Sequence, residues 1–313
     1  MNIMVPISDI DMINELSEAG ADEFYFGFYD YTWNRIYGNF EEINRMSSFG
    51  SKSNFDYNMI ESVIKKIHSN KKKAFITFNS PSYSIEEIAL IKKYLNKIKQ
   101  IGIDGIIVGD ISLINLVLSY DLPVILSTML GAYNSEIIKF YNEMGIKRII
   151  IPRDVQIDDI EKIVKNFPNI DFEVFIMRNG CKYSDSNCMS FHSRKYGAMC
   201  SYIDNNKQDI ISNHDNDFQY MKKVYENNFL FKQAFHKSAC GICAIKRFLD
   251  MGIHSVKIVG RADNPNQIIK DVKLIKKNII IADKSKDNNE YLKKIDFDES
   301  LLSNCLYKLN CYY

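Results

Sequence analysis

Five of the seven cysteines in this 313-residue chain fall between Arg178 and Arg261. Six residues separate Cys181 from Cys188; Cys200 follows twelve further on, Cys240 forty later, and Cys243 three past that. This spacing is neither the pair of Cys-x2-Cys units of a zinc ribbon nor the compact ferredoxin run. Four or five thiolates gathered in one segment could still bind a soft metal or an iron–sulfur cluster. The competing readings are buried structural thiols or a single reactive thiol. Cys305 and Cys311 lie far along the chain, as outer ligands or redox partners.

Other catalytic chemistries find less support. There is no His-Glu-x-x-His for a helix-borne zinc protease and no Gly-x-Ser-x-Gly elbow. His192 and His236 fall in the cysteine segment, where a Cys–His pair could serve nucleophilic catalysis or a histidine could tune a cluster by hydrogen bonding. His68 reads as solvent-facing on a lysine-rich helix, and His254 as structural.

The elements that must position these residues follow a regular beat. Short apolar runs at 2–5, 24–26, 74–78, 105–108, 124–126, 148–151, 172–176 and 256–259 predict strands. Helical spacing at 9–19, 57–68, 84–100, 111–119, 136–144, 157–166, 244–251 and 264–276 predicts the helices between and after them. Strands rich in Ile and Val are those buried on both faces. Eight such beats predict an α/β fold, a TIM-like (β/α)8 barrel with the cysteine segment inserted between strands seven and eight. An open doubly wound sheet is the alternative, but no Gly-x-Gly-x-x-Gly or phosphate-loop motif supports it. The division expected is a barrel domain over 1–277, including the insertion 178–245, and a tail over 278–313. The aromatic stretch 28–55, with the lone Trp33, reads as an irregular loop.

A barrel does its chemistry at the carboxyl ends of its strands. The residues expected there are Gly27, Asn79, Asp110, Thr128, Arg153, Arg178 and Arg261. Asp110 is a candidate acid or base, with Arg153 beside it in the catalytic set. The three arginines could clamp a carboxylate or phosphate, or could pair with Asp110 or helix ends. Asn79 and Thr128 could orient a substrate or only satisfy strand ends. Tyr25, Tyr29 and Trp33 either line an aromatic pocket or pack in the core.

Composition excludes little: 46% hydrophobic, 25% charged, formal net charge +1. That balance does not call for a nucleic-acid surface, and Lys71-Lys72-Lys73 and Lys276-Lys277 read as solvated helix ends. No uncharged apolar run of about 18 residues predicts a membrane span. The first residues lack a signal-peptide pattern, so a cytoplasmic location is expected, where disulfides are rare.

Cys181-x6-Cys188, the later Cys240 and the strand Ser255-Val256-Lys257-Ile258-Val259-Gly260-Arg261 resemble the collagenase-like peptidase family U32. Val5-Pro6, Gly20-Ala21-Asp22 with Tyr25-Phe26-Gly27, Phe78-Asn79, Val108-Gly109-Asp110, Leu126-Ser127-Thr128 and Pro152-Arg153 extend the resemblance over residues 1 to 275. The resemblance implies a [4Fe–4S] cluster on Cys181, Cys188, Cys200 and Cys240, with Cys243 as the alternative to Cys200. It further implies oxygen-independent hydroxylation of RNA bases or of a quinone precursor, some members using prephenate. The family's name implies a peptidase as the alternative, and a cluster-bearing subunit of a heteromer is a third reading. The family's RNA-modifying members carry extra domains past the barrel, so a small-molecule or protein substrate is expected ahead of RNA.

Overall fold

Runs of Ile, Val and Phe, each ended by a turn or capping residue, make eight parallel strands that close on themselves. The computed structural model describes residues 1–37, 43–45, 53–181, 184–186, 192–193, 197–198, 235–236, 239–298, 305 and 311–313. Barrel strands are β1 (Asn2–Pro6), β2 (Glu23–Tyr29), β4 (Lys73–Phe78), β5 (Gly105–Val108), β6 (Val124–Leu126), β7 (Arg148–Ile150), β8 (Asp171–Met177) and β13 (Ser255–Ile258). Closure comes from β1, which pairs in parallel with both β2 and β13. Short strands lie outside the ring: β3 (Asn54–Asp56), β9 (Gly180–Cys181), β10 (His192–Ser193), β11 (Gly197–Ala198) and β12 (Phe235–His236). The cysteine segment therefore lies between the seventh and eighth barrel strands, as the sequence predicts.

Helices α1 (Met12–Ala19), α2 (Tyr31–Tyr37), α3 (Ile60–Ser69), α4 (Ile85–Ile101), α5 (Ile111–Ser119), α6 (Ser135–Glu143) and α7 (Ile157–Asn166) precede the segment. After it come α8 (Ile245–Asp250), α9 (Pro265–Asp283) and α10 (Asn288–Lys294). Their ends are locally encoded. Ser84 and Glu87 form a capping box at the start of α4, and Gly102 ends that helix at φ 89°.

Two expectations change. The stretch 28–55 is not wholly irregular: β2 runs on to Tyr29, and α2 and β3 follow. Ring packing supplies the order that periodicity does not, since Trp33 is buried with its centroid 4.8 Å from Tyr37 and 6.5 Å from Tyr83 and Tyr94. The apolar run 279–282 continues α9, which crosses residue 277 without a break. Beyond it, Tyr291 is fully buried and its hydroxyl donates to the Ile242 carbonyl at 2.7 Å, so the expected tail begins inside the packed body.

Alternation along the strands separates an outer apolar shell under the helices from the barrel lumen. Phe24, Phe26 and Phe28 face outward, while Glu23, Tyr25 and Gly27 belong to the lumen side. The lumen is layered. At the amino ends, Arg148 donates to Glu23 Oε1 at 2.9 Å, to Glu173 Oε2 at 2.6 Å and to Ser255 Oγ at 2.7 Å, all buried. Above sit Met4, Tyr25, Phe75, Ile107, Ile125, Ile150 and Phe175, one from each of seven strands, closed by Ala239 and Tyr312. The eighth strand adds Lys257, with Nζ 3.9 Å from the Tyr25 ring centre and 2.8 Å from Glu173 Oε1. Thr77 and Arg261 occupy the carboxyl end.

Candidate functional site

The carboxyl end of the barrel is built on two arginines in different electrostatic states. Arg153 follows β7; its Nε donates to Asp185 Oδ2 at 3.0 Å and its Nη1 to the Asn179 carbonyl at 2.8 Å. Its guanidinium lies 4.5 Å over the Phe175 ring. Burial works to discharge Arg153, but Asp185 outweighs it and holds the group above the ordinary guanidinium range. Arg261 follows β13 and, among the described residues, donates to neutral acceptors alone: Asn54 Oδ1 at 3.3 Å, Thr77 Oγ1 at 3.1 Å and Asn44 Oδ1 at 3.1 Å. Burial pulls it down to about 10, with Tyr25 opposing.

Tyr312 reaches into this end from the far part of the chain. Its ring stacks on Phe175 at 6.0 Å and 12°, and its hydroxyl donates to the Arg178 carbonyl. The backbone is held too: Cys240 bridges Met177 on one side and Cys311 on the other, and the Tyr312 N–H donates to the Cys240 carbonyl at 3.0 Å. Tyr313 donates to the Phe175 carbonyl at 2.9 Å and meets Phe248 edge-on. The Tyr312 phenol lies within electrostatic reach of Arg153, Asp185, Cys181 and Cys240.

Cys181 and Cys240 thus lie at the same end of the barrel as Tyr312. Cys181 pairs with Phe235 through β9 and β12 and feels the Arg153 charge. Burial pushes the Cys240 thiol up to about 12, against a hydrogen bond from the Ile242 N–H; the Cys243, Cys305 and Cys311 thiols lie close enough to add to the rise. Such a thiol stays protonated near neutrality unless a metal ion takes the proton's place. Among the described residues, no three Cys, His, Asp or Glu side chains converge as metal ligands. Cys188 and Cys200 lie outside the described residues.

Other residues named from the sequence have structural partners. Asp110 caps α5, accepting from the Ser112 N–H at 2.8 Å, and also accepts from the Tyr83 N–H at 2.9 Å. Arg178, at φ 67°, makes a two-handed pair with Asp271 of α9 at 2.5 and 2.7 Å. Asn79 Oδ1 accepts from the Arg45 N–H at 3.3 Å, and Thr128 is buried at the start of a one-turn 3-10 helix, Thr128–Leu130. Tyr25 lies in the lumen and donates to the Ile258 carbonyl at 3.1 Å. Sequence reasoning missed Asn44, Asn54, Asp185 and Tyr312. The Cys-Tyr-Tyr run at 311–313 was the one available signal, aromatic residues beside a cysteine in an otherwise polar stretch.

Gly27 is where the Arg261 cradle is most sensitive. A Cβ there would sit 2.2 Å from Asn54 Oδ1 and 2.3 Å from Arg261 Nη1. Gly27→Ala should therefore displace the guanidinium and cost about 1–3 kcal/mol in urea unfolding, as overpacking does. An unchanged midpoint would show that the cradle has slack.

A model of peptidase family U32 matches residues 8–304. The chain belongs to peptidase family U32. Among curated U32-like relatives, "tRNA hydroxylation protein P2" of Bacillus subtilis is 20% identical over 304 residues, covering 96% of this chain and 92% of that protein. "Collagenase" of Porphyromonas gingivalis is 22% identical over 285 residues, 85% of this chain and 62% of that one. "tRNA hydroxylation protein P" of Escherichia coli is 26% identical over 137 residues, 43% of this chain, and the match spans only 30% of that protein's length. The solved structure of the U32 Peptidase Mk0906 superposes with a TM-score of 0.49 at 10% identity, covering 83% of this chain and 93% of that one. The Bacillus subtilis protein P2 is nearly matched in length. The match covers 30% of the Escherichia coli protein and 92% of the Bacillus subtilis one, so relatives with a tRNA hydroxylation name include longer chains and one of nearly this length. Among the described residues no helix is long and apolar enough to cross a membrane.

Proposed function

We propose that this U32 chain is a hydroxylase-type redox enzyme acting at the carboxyl end of its barrel, with a [4Fe–4S] cluster as cofactor. The observation that carries the reading is the gathering of Cys181 and Cys240 around Tyr312, beside Arg153. The donor chemistry fits: two thiols stand at one end of the lumen, one already receiving a backbone N–H as cluster sulfurs do. Cys181, Cys188, Cys200 and Cys240 would hold the cluster, with Cys243 as the alternative to Cys200. When bound, such a cluster supplies one-electron transfer.

The chain's own residues do the rest. Phe175 and Tyr312 offer flat aromatic surface, Arg153 places a positive charge over the Phe175 ring, and the apolar lumen layer below keeps water out. A base of tRNA is the substrate class that the relatives' names favour. The protein purified without oxygen should carry about four iron atoms per chain. It should also restore a hydroxylated nucleoside, read by mass spectrometry, to tRNA from cells lacking it. Iron-free protein, with hydroxylation intact in Cys181→Ala, Cys240→Ala, would sink the proposal. The collagenase among the relatives keeps a peptidase reading open; gelatin cleavage surviving those two substitutions would favour it.

A further inference from the structure

Among the described residues, five arginines have largely buried side chains in or beside the barrel, and four of them face carboxylates, Arg45 sharing Asp185 with Arg153. Arg148 has Glu23 and Glu173, Arg153 has Asp185, and Arg178 has Asp271. Arg261, only 5% exposed, contacts no carboxylate among the described residues. Lys257, the other cation in the lumen, is paired with Glu173. An uncompensated buried charge is expensive, and proteins usually remove it by pairing. The fold instead goes to some length to seat this one: it fixes the guanidinium with two asparagines and a threonine and clears room for it with Gly27.

A guanidinium has five N–H donors. Three bonds use both donors of Nη1 and one of Nη2. The Nε donor and the second Nη2 donor remain. An Nε–H and the Nη2–H beside it form the edge of a guanidinium that grips a carboxylate with two parallel hydrogen bonds. Nor is Nε sealed. The described buried side-chain atoms that lack both a partner and solvent contact are Ser53 Oγ, Arg148 Nε and Asn288 Oδ1, and Arg261 Nε is not among them.

We propose that Arg261 is the receptor for a small oxyanion, a carboxylate or a phosphate group, that enters the barrel mouth and pairs with the free edge of its guanidinium. Asn44, Asn54 and Thr77 hold the receptor in place and repel nothing, because none carries a negative charge. The inference rests on taking the barrel mouth as the ligand site. It does not depend on the redox chemistry proposed above, and binding alone tests it.

The test is an NMR titration of arginine-labelled protein at constant ionic strength, with acetate, malonate and inorganic phosphate as separate probes. The Arg261 Nε–H signal, identified by its loss in Arg261→Lys, should shift saturably with at least one probe while the Arg148 and Arg178 signals stay put. Calorimetry with the same probe should show binding weakened by about tenfold or more in Arg261→Lys, since lysine cannot grip two-handed. A response to the carboxylates identifies a free acid as the ligand; a response to phosphate alone identifies a phosphate ester. Saturation of neither, or equal affinity in Arg261→Lys, overturns the proposal. Should that variant not fold, the wild-type titration still decides, with the signal identified through its contact with Thr77.

Discussion

Arg148→Met should cost the fold about 3–5 kcal/mol, the usual price of stranding a buried ionic partner. Arg148 joins two carboxylates that are otherwise sealed in the lumen, Glu23 at 1% and Glu173 at 0% exposure. Its removal leaves Glu173 with Lys257, but leaves Glu23 only Asn2 and His254. The pH dependence gives the sign. Burial alone would raise the Glu23 carboxyl. Hydrogen bonds and charge from His254 and Arg148 outweigh that and bring it from 4.5 down to about 2. The stability from this group is therefore complete above about pH 4.5 and lost as the pH falls through 2. At neutral pH a shift of this size is worth about 3 kcal/mol. The penalty of Arg148→Met should be largest near neutrality and shrink on acidification, as the stranded carboxyl takes up its proton. Urea unfolding of both proteins from pH 3 to 7 measures it. A penalty that does not change with pH would mean that lost packing over Phe75, not lost charge, is the cause.

Glu23 also shows where sequence reading stops. Asp22-Glu23 before an apolar run looks like a solvated strand entry, yet the strand begins at Glu23 and its first side chain points into the lumen. The barrel itself was legible because each Ile- or Val-rich run reports its own burial, whatever lies across the ring. Partners distant in sequence were not. Nothing local distinguishes Arg178, 93 residues from its Asp271, from Arg261, which has no carboxylate partner among the described residues. Both follow strands, and both could be assigned to a ligand until the pairing was seen. Asn44 and Asn54 are equally silent, since asparagine in an aromatic stretch signals a turn and not a guanidinium cradle. The cysteines were visible as a set, but the nearness of Cys181 and Cys240 to Tyr312 depends on a chain segment that no periodicity joins to the barrel.

Tyr312→Ala should therefore be felt in the barrel although the residue lies far outside it in sequence. The ring is 9% exposed and closes the lumen layer that seven strands build. Removing a ring of this size from a packed interior costs about 3–5 kcal/mol, less where the site can collapse. Tyr312→Phe keeps the stacking on Phe175 and loses only the hydroxyl bond to the Arg178 carbonyl, worth about 1 kcal/mol. Arg178 sits at φ 67°, a strained conformation for a residue with a side chain. Its N–H bond to the Ala239 carbonyl and the Tyr312 hydroxyl brace it from both sides. The alanine variant keeps the backbone bond to the Cys240 carbonyl but removes the ring beside that cysteine, so its reaction with a thiol reagent should quicken while the phenylalanine variant reacts like the parent. Equal unfolding midpoints for the two variants would make the ring a surface contact. A gap of several kcal/mol with faster Cys240 labelling would make Tyr312 the stopper of the barrel mouth. Any flat substrate stacking on Phe175 would then have to displace Tyr312 or the Arg153 guanidinium that lies over the same ring.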